Sequence, residues 1–328
     1  MTGVRGAARL HLVTGAAGFV ANCLIGRLLA AGDAVVGFDN LSRGTLANIA
    51  TFANAPAFAF QKLDVSDRAA LADAFAAALA GHPDYSATVW HLAANSDIQA
   101  GVENPDIDLR DTFMTTFSTL DAMRRNGLRV LAFASTSAVY GPLTAKLRED
   151  IGPLFPISNY GAMKLASEAA ISAAVEAHLE RAWIFRFPNV VGSAATHGAL
   201  YDFAGKLRRT PDKLEVLGDG NQQKAYLLVE ELVDAMLFIC AHAADRLNCF
   251  NIGPLDAGVT VRFLAEEMVR HAAPSAQIRY TGGDRGWVGD VPRFSYSVKK
   301  LRRLGWSPKT GSAGAVRAAV PVVWQESK

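Results

Sequence analysis

Short hydrophobic runs rich in β-branched residues alternate with longer amphipathic segments over the first 190 residues of the chain. Such runs are predicted to be buried strands, and the amphipathic segments are predicted to be helices. The pattern predicts strands at 10–13, 34–38, 58–63, 88–92, 130–134 and 183–187, and helices ending at Leu29 and at 69–80, 109–125 and 160–180. Regular alternation of strand and helix predicts an α/β fold with a Rossmann-like, doubly wound parallel sheet.

The alternation stops after Asn189. Gly218–Asn221 is predicted to be a turn between two short strands, followed by a helix at 229–243 and a strand near Phe250–Ile252. The remaining residues show no single pattern. We therefore expect a first domain over 1–188, to which 229–255 return, and a smaller C-terminal α/β lobe made of 189–228 and 256–328.

Composition narrows the class of protein. Half of the 328 residues are hydrophobic and the formal net charge is +2, so no general attraction to nucleic acid or to an anionic membrane is expected. No apolar run is long enough to span a bilayer, and no signal-peptide pattern precedes the first strand. Three cysteines without paired spacing and seven histidines without ligand spacing indicate no disulfide and no metal site. We expect a cytoplasmic protein.

A glycine-rich turn joins the first strand to the first helix. Gly15 permits the tight turn, Gly18 leaves room for a pyrophosphate at the helix amides, and Ala21 lets the helix pack on the strand. Asp39 follows the second strand, about 20 residues after the turn, where a carboxylate binds the adenosine ribose. A carboxylate there repels a 2′-phosphate and favours NAD, while nearby Arg43 leaves NADP open.

Two further segments lie at the predicted carboxyl edge of the sheet. Asp64, followed by Val65, could accept a hydrogen bond from an adenine amino group or could cap the next helix. The small residues at the end of the fourth strand leave room for a cofactor, whereas His91 is expected to be a packed strand residue.

A second group of residues is a candidate for catalysis. Tyr160 and Lys164 are four residues apart on a predicted helix and therefore share one face. A tyrosine with a pKa of about 10 becomes a general base when cations favour its phenolate. Thr136, in a Ser-Thr-Ser run after the fifth strand, could hydrogen-bond the reacting oxygen. The order of these groups along the chain indicates a hydride-transfer enzyme.

The chain resembles the extended short-chain dehydrogenase/reductases, and within them the NAD-dependent epimerase/dehydratase family, near the shorter archaeal type of UDP-glucose 4-epimerase. The resemblance runs nearly end to end and rests on the segments 14–21, 39–41, 91–94, 135–141, 160–164, 186–192, 196–203, 218–224 and 281–287. It implies a homodimer that binds NAD and a nucleotide sugar, most simply a UDP-sugar. The helices 109–125 and 160–180 could form the dimer interface or could equally face the core.

The resemblance also implies residue roles. Thr136, Tyr160 and Lys164 match the catalytic group, and cofactor contacts are implied for Gly15, Gly18, Phe19, Val20, Asp39, Asn40, Asp64, Val65, Leu92, Ala93, Ala94, Tyr160, Lys164 and Val190. Asn189, Lys224 and Arg285 match groups on the substrate diphosphate, and Asp290 matches a ligand of the nucleotide ribose. Phe294 stands at a gatekeeper position beside the sugar, or is simply a core residue; as a gatekeeper it would disfavour N-acetylhexosamines.

One departure separates the reactions of the family. Sugar 4,6-dehydratases carry an Asp-Glu pair after the catalytic threonine, and here those positions are Ser137 and Ala138. Neither side chain can serve as the acid or base that dehydration needs. The expected reaction is therefore epimerisation at C4 through transient oxidation. The alternatives are a UDP-glucuronate 4-epimerase, another nucleotide-sugar reductase or epimerase, and a non-catalytic NAD sensor.

Overall fold

A seven-stranded parallel sheet forms the centre of the protein, in the order β11-β6-β5-β4-β1-β2-β3. The computed structural model describes residues 9–143, 145–284, 286, 291, 293 and 296–327. In chain order the strands are β1 (Arg9–Thr14), β2 (Ala34–Asp39), β3 (Phe58–Lys62), β4 (Ser86–His91), β5 (Val130–Thr136), β6 (Arg181–Phe187), β7 (Asn189–Val191), β8 (Lys213–Val216), β9 (Gln223–Lys224), β10 (Tyr226–Leu228), β11 (Leu247–Asn251), β12 (Val259–Thr260) and β13 (Gln277–Tyr280). All six strands predicted before residue 188 are present, and the doubly wound fold is confirmed.

Helices connect the strands. They are α1 (Phe19–Ala30), α2 (Leu46–Ala50), α3 (Arg68–Ala80), α4 (Ile98–Glu103), α5 (Pro105–Asp108), α6 (Thr115–Arg125), α7 (Asn159–Ala177), α8 (Ala199–Arg209), α9 (Val229–His242), α10 (Val261–Ala272), α11 (Lys299–Leu304) and α12 (Ser312–Glu326). The predicted helix 109–125 is only partly an α-helix, because Leu109–Met114 form a π-helix ahead of α6. The predicted helix 160–180 is α7, which ends earlier, at Ala177.

Alternate residues of each central strand face opposite layers of helices, as the two-residue period of a strand requires. On β5, Leu131 and Phe133 pack with α3, α6 and α7, whereas Ala132 faces the other layer. That second layer contains α1, α9 and α11, with Leu24 and Met236 among its buried residues. Both faces of the central strands are therefore covered, and this explains why β2 and β5 are hydrophobic over most of their length.

A separate hydrophobic cluster gathers residues from the second half of the chain. It is built around α8, α10 and α12 and includes Phe203, Leu264 and Val316. The strands flanking the predicted turn at 218–221 do not pair with each other, since β8 pairs with β13 and β9 with β12. Strand β11 returns to the main sheet beside β6, and Leu301 of α11 packs against that sheet as well.

A helix that crosses a bilayer needs about 20 consecutive, mostly apolar residues. Among the described residues, no helix combines that length with the necessary apolar character.

Candidate active site

The turn after β1 shows why glycine stands at position 15. Gly15 has φ of +72°, and a Cβ there would lie 2.7 Å from the backbone nitrogen of Ala93. Any side chain would thus separate the turn from the end of β4. Gly18 is the N-cap residue of α1 and offers no side-chain cap to the helix. The amino end of α1 therefore opens on the cleft without a side chain in front of it, as an anion site requires.

Asp39 at the end of β2 is mostly enclosed, and it braces this turn. Its carboxylate accepts hydrogen bonds from the backbone N–H of Ala17, at 3.1 Å, and of Leu41, at 2.7 Å. Burial raises the pKa of Asp39, and the two backbone hydrogen bonds oppose that rise. The carboxylate is thus both a turn-forming group and part of the cleft wall. Arg43, the residue that left NADP open, donates to Asp97 at 3.2 Å.

Asp64 is not the cap of the following helix. Its carboxylate accepts from the backbone N–H of Ser66 at 2.9 Å and from the Ser66 hydroxyl at 2.7 Å. The N-cap of α3 is Asp67, which accepts from the backbone N–H groups of Ala69 and Ala70. The capping alternative for Asp64 is therefore wrong.

His91 is a packed strand residue, as expected. It is fully buried between the hydroxyls of Thr14 and Thr116, at 2.7 Å and 3.0 Å from its two ring nitrogens. Burial lowers the pKa of His91, so the ring stays neutral.

Thr136 and Tyr160 meet where β5 and α7 come together. Thr136 ends β5, and its Oγ1 accepts from the backbone N–H of Ala138 at 3.1 Å. Ser158 caps α7 by accepting from the N–H of Gly161, also at 3.1 Å, which fixes Tyr160 in the first helical turn. A Cβ on Gly161 would lie 2.7 Å from the carbonyl oxygen of Ala138, so glycine allows this close approach. The Thr136 side chain lies close enough to the Tyr160 phenol to lower the pKa of that phenol.

Lys164 lies one turn further along α7 and is almost completely buried. Its Nζ donates to the carbonyl oxygen of Ala134 at 2.6 Å. The same atom lies 4.6 Å from the ring centroid of Phe133 and 6.0 Å from that of Tyr160. Burial lowers the pKa of Lys164 to about 7, against the opposing effect of Glu168. A lysine with this pKa can change its charge near neutral pH.

The phenol of Tyr160 does not ionise readily in these surroundings. Burial and the negative charge of Asp108 raise the pKa of Tyr160, and the Thr136 side chain opposes them only in part. That neighbouring cations together favour the phenolate of this tyrosine stays a prediction. Further positive charge near the phenol would be required to favour the phenolate.

The predicted groups line one cleft at the carboxyl edge of the sheet. Its volume is about 840 Å³. Every described residue of the predicted cofactor and catalytic sets lies on its wall, namely Gly15, Gly18, Phe19, Val20, Asp39, Asn40, Asp64, Val65, Leu92, Ala93, Ala94, Thr136, Tyr160, Lys164 and Val190. Parallel strands end together at this edge, which is why groups far apart in the sequence converge here.

The wall also holds polar groups to which the sequence analysis gave no role. They follow β4 and β7 or lie on α8, and include Asn95, Ser96, Asp97, His197, Tyr201, Lys206 and Arg209. The prediction for the β4 edge stopped at Ala94, one residue short of the first of them. For the residues after β7 and on α8, the similarity of the segment 196–203 to the family was the feature that could have indicated a role. Lysine and arginine on α8 make this part of the cleft suited to an anion.

Two predicted substrate residues lie across the cleft from the turn. Asn189 begins β7 and pairs with Tyr226 of β10. Lys224 lies two residues before Tyr226 in the sequence. Asn189 and Lys224 both line the cleft, and the Lys224 Nζ donates to the carbonyl oxygen of Val291. The other three predicted substrate residues, Arg285, Asp290 and Phe294, lie outside the described residues.

Known proteins share the sequence and fold described above. Residues 11–253 match the NAD dependent epimerase/dehydratase family. The chain belongs to this family. A UDP-glucose 4-epimerase from Mycolicibacterium smegmatis is 32% identical, over 94% of this chain and 96% of that protein. A dTDP-glucose 4,6-dehydratase from Neisseria gonorrhoeae is 29% identical, over 94% of each chain. A crystal structure of a UDP-galactose 4-epimerase superposes with a TM-score of 0.82, at 32% identity, over 97% of this chain and 99% of that one. The resemblance seen in the sequence is confirmed.

The cofactor of the family is NAD, and the residues present fit it. Gly15 and Gly18 keep the approach to the uncapped amino end of α1 free of side chains. Asp39 stands at the end of β2, where an adenosine ribose is bound in folds of this type. The small side chains of Ala93 and Ala94 line the cleft between these groups and Tyr160.

Proposed function

We propose that the protein is a nucleotide-sugar 4-epimerase that acts on a UDP-sugar, with UDP-glucose and UDP-galactose as the first candidates. The observation that carries the proposal is the identity of the three consecutive residues Thr136, Ser137 and Ala138 on the cleft wall. Thr136 lies beside Tyr160 on this wall, whereas the next two positions carry no acid or base. The site thus has groups for proton transfer at one sugar oxygen but lacks at these positions the carboxyl groups of a 4,6-dehydratase.

In the proposed reaction, Tyr160 takes the proton of the sugar 4-hydroxyl while Thr136 hydrogen-bonds the same oxygen. When bound, NAD supplies the acceptor and donor for the hydrogen on C4. Lys164, held against the carbonyl oxygen of Ala134 and near the tyrosine ring, contributes positive charge beside the phenol. Tyr160 then returns the proton to the oxygen of the inverted sugar, so that the chain is unchanged after one turnover.

Epimerisation also requires the sugar to present both faces to the same groups. We propose that Asn189 and Lys224 hold the diphosphate of the substrate, together with Arg285, while the sugar turns about its linkage. Lys206 and Arg209 add positive charge to the same cleft. Asp290 for the nucleotide ribose and Phe294 beside the sugar complete the proposed substrate set.

We further propose that cofactor and substrate are bound by two different parts of the chain, each with its own hydrophobic core. The sheet domain of 1–188 with 229–255 would bind NAD, and the lobe of 189–228 and 256–328 would bind the nucleotide sugar. The clusters around the sheet and around α8, α10 and α12 support this division. Leu301 is an exception within this lobe, because it packs against the sheet.

We also propose that the protein is a homodimer formed through α6, α7 and the π-helix. Leu109 on the π-helix and Phe117 on α6 are 47% and 41% exposed. On α7 the exposed residues include Ala169, Ala173 and Ala177, at a spacing of four. Small residues on one helix face and exposed large apolar residues beside it suit close helix packing.

Incubation with UDP-, GDP-, CDP- and dTDP-hexoses, without added cofactor, tests the proposed reaction. NMR of the products is expected to show inversion at C4 and no other change. Tyr160→Phe is expected to abolish turnover while bound NAD is retained. Formation of a 4-keto-6-deoxy sugar, or full activity of Tyr160→Phe, would contradict the proposal.

A further inference from the structure

A buried ion pair lies behind the proposed catalytic residues and plays no part in the reaction as described so far. Arg186 of β6 donates to Glu168 of α7 through Nη2, at 2.6 Å, and through Nε, at 2.9 Å. Their side chains are 8% and 7% exposed. Ser135 donates to the same carboxylate at 2.5 Å. Charged and polar partners compensate for the hydration that a carboxylate loses when it is so enclosed.

The position of this carboxylate connects it with every element that carries a catalytic group. Glu168 is one turn beyond Lys164 and two turns beyond Tyr160, on the same face of α7. Ser135 directly precedes Thr136 on β5. Arg186 lies three residues before Asn189, at the end of β6. One side chain therefore fixes β5, α7 and β6 relative to one another beside the reacting groups.

The charge of Glu168 also acts on Lys164. Within the described part of the chain, Lys164 has Tyr160 and Glu168 of its own helix and His91 of β4 as ionisable neighbours, and Arg186 of β6 is bonded to Glu168. Burial keeps His91 neutral, and the guanidinium of Arg186 is compensated by Glu168. Glu168 is the neighbour that opposes the effect of burial on the pKa of Lys164.

We propose that Glu168 is a positioning residue for the proposed epimerisation, on which this inference rests. Its carboxylate holds Ser135 so that Thr136 stays against Tyr160, and it is the buried counter-charge of Lys164. Arg186 and Ser135 keep that carboxylate in place. Loss of the charge is expected to remove the Lys164 ammonium at neutral pH, and loss of the Ser135 contact is expected to loosen Thr136 only.

The test compares Glu168→Gln with the unchanged chain by two readouts. NMR of ¹³C-labelled lysine, with Lys164 assigned by its loss in Lys164→Met, follows the ammonium as the pH is raised. The midpoint is expected near 7 in the unchanged chain. In Glu168→Gln it is expected to fall by about one pH unit, so that kcat at about pH 8 falls roughly tenfold and less at lower pH.

Glu267→Gln is the matched control, because Glu267 is also buried and bonded to two arginines, Arg270 and Arg317, in the cluster around α10. It is expected to lower stability without moving the Lys164 midpoint. Glu168→Asp keeps the charge and is expected to shift the Lys164 midpoint much less than Glu168→Gln does. Ser135→Ala keeps the ion pair and is expected to lower kcat at an unchanged midpoint.

An unchanged midpoint in Glu168→Gln, or an equal shift in Glu267→Gln, would overturn the proposal. Should Glu168→Gln fail to fold, full activity of Ser135→Ala would overturn it as well. If the unchanged chain converts no nucleotide sugar, the proposed function fails, and the lysine titration still decides whether Glu168 sets the charge of Lys164.

Discussion

Two separate structural constraints require glycine at position 15. Its positive φ disfavours any residue with a Cβ, and the backbone of Ala93 leaves no space for one. Gly32 shares only the first constraint, since its φ is +88° and no atom lies within 4 Å of the position that a Cβ would take. Substitutions at Gly15 and Gly32 therefore distinguish the effect of backbone strain from the effect of losing the close approach between the ends of β1 and β4.

Gly32→Ala is expected to lower the free energy of unfolding by about 1 kcal/mol through backbone strain and to leave NAD binding unchanged. Gly15→Ala is expected to cost more and to weaken NAD binding, because the turn must move away from Ala93. Chemical denaturation and NAD titration measure the two effects. Equal losses of stability with equal NAD affinity would contradict the role given to this turn.

Residue types at the site could be predicted because they stand at fixed places in short motifs. Gly15 follows a strand, Asp39 and Thr136 each end one, and Tyr160 and Lys164 lie in the first turns of a helix. The structure brings all five to one cleft. Their local environment could not be predicted in the same way. The pKa of Tyr160 depends on burial and on Asp108, which is 52 residues away in the sequence and comes close only in the fold.

At the scale of elements, the start of α3 distinguishes a capping carboxylate from a cleft carboxylate. Asp67 caps the helix, whereas Asp64 makes only a local turn with Ser66 and lines the cleft. The two are three residues apart and of one chemical type. They therefore form a matched pair in which stability and cofactor affinity should respond separately.

Asp67→Ala is expected to lower the free energy of unfolding by about 1 kcal/mol, because two backbone N–H groups lose their acceptor. NAD affinity should not change. Asp64→Ala is expected to weaken NAD binding with little effect on stability. Denaturation curves and NAD titrations of both variants test this, and a reversed pattern would show that Asp64 does not contact the cofactor.

Most strands of the main sheet were predictable because each contains a short hydrophobic run. Strands β7, β10 and β12 were not, since each has only two or three residues and is defined by its partner rather than by its own pattern. The π-helix 109–114 was likewise predicted as ordinary helix, because its hydrophobic positions still suit one helical face. Tertiary pairing decides such elements, and a single sequence does not display it.

At the scale of the whole molecule, the proposed dimer gives a direct prediction. Phe117→Glu places a charge on the exposed face of α6 and is expected to convert a dimer into a monomer, because burying a charged side chain in an apolar interface is costly. Leu255→Glu is the control, since Leu255 is 56% exposed elsewhere on the surface. Sedimentation velocity measures both, and an unchanged sedimentation coefficient for Phe117→Glu would exclude this interface.

The central claim, inversion at C4 by removal and return of the same hydrogen, is tested most directly with UDP-glucose deuterated at C4. The chain is incubated with it in ordinary water, without added NAD, and the product is analysed by NMR and mass spectrometry. The expected product is UDP-galactose that keeps deuterium at C4, because the tyrosine exchanges only the hydroxyl proton. Loss of the deuterium to solvent, or a product with a solvent proton at C5, would contradict it.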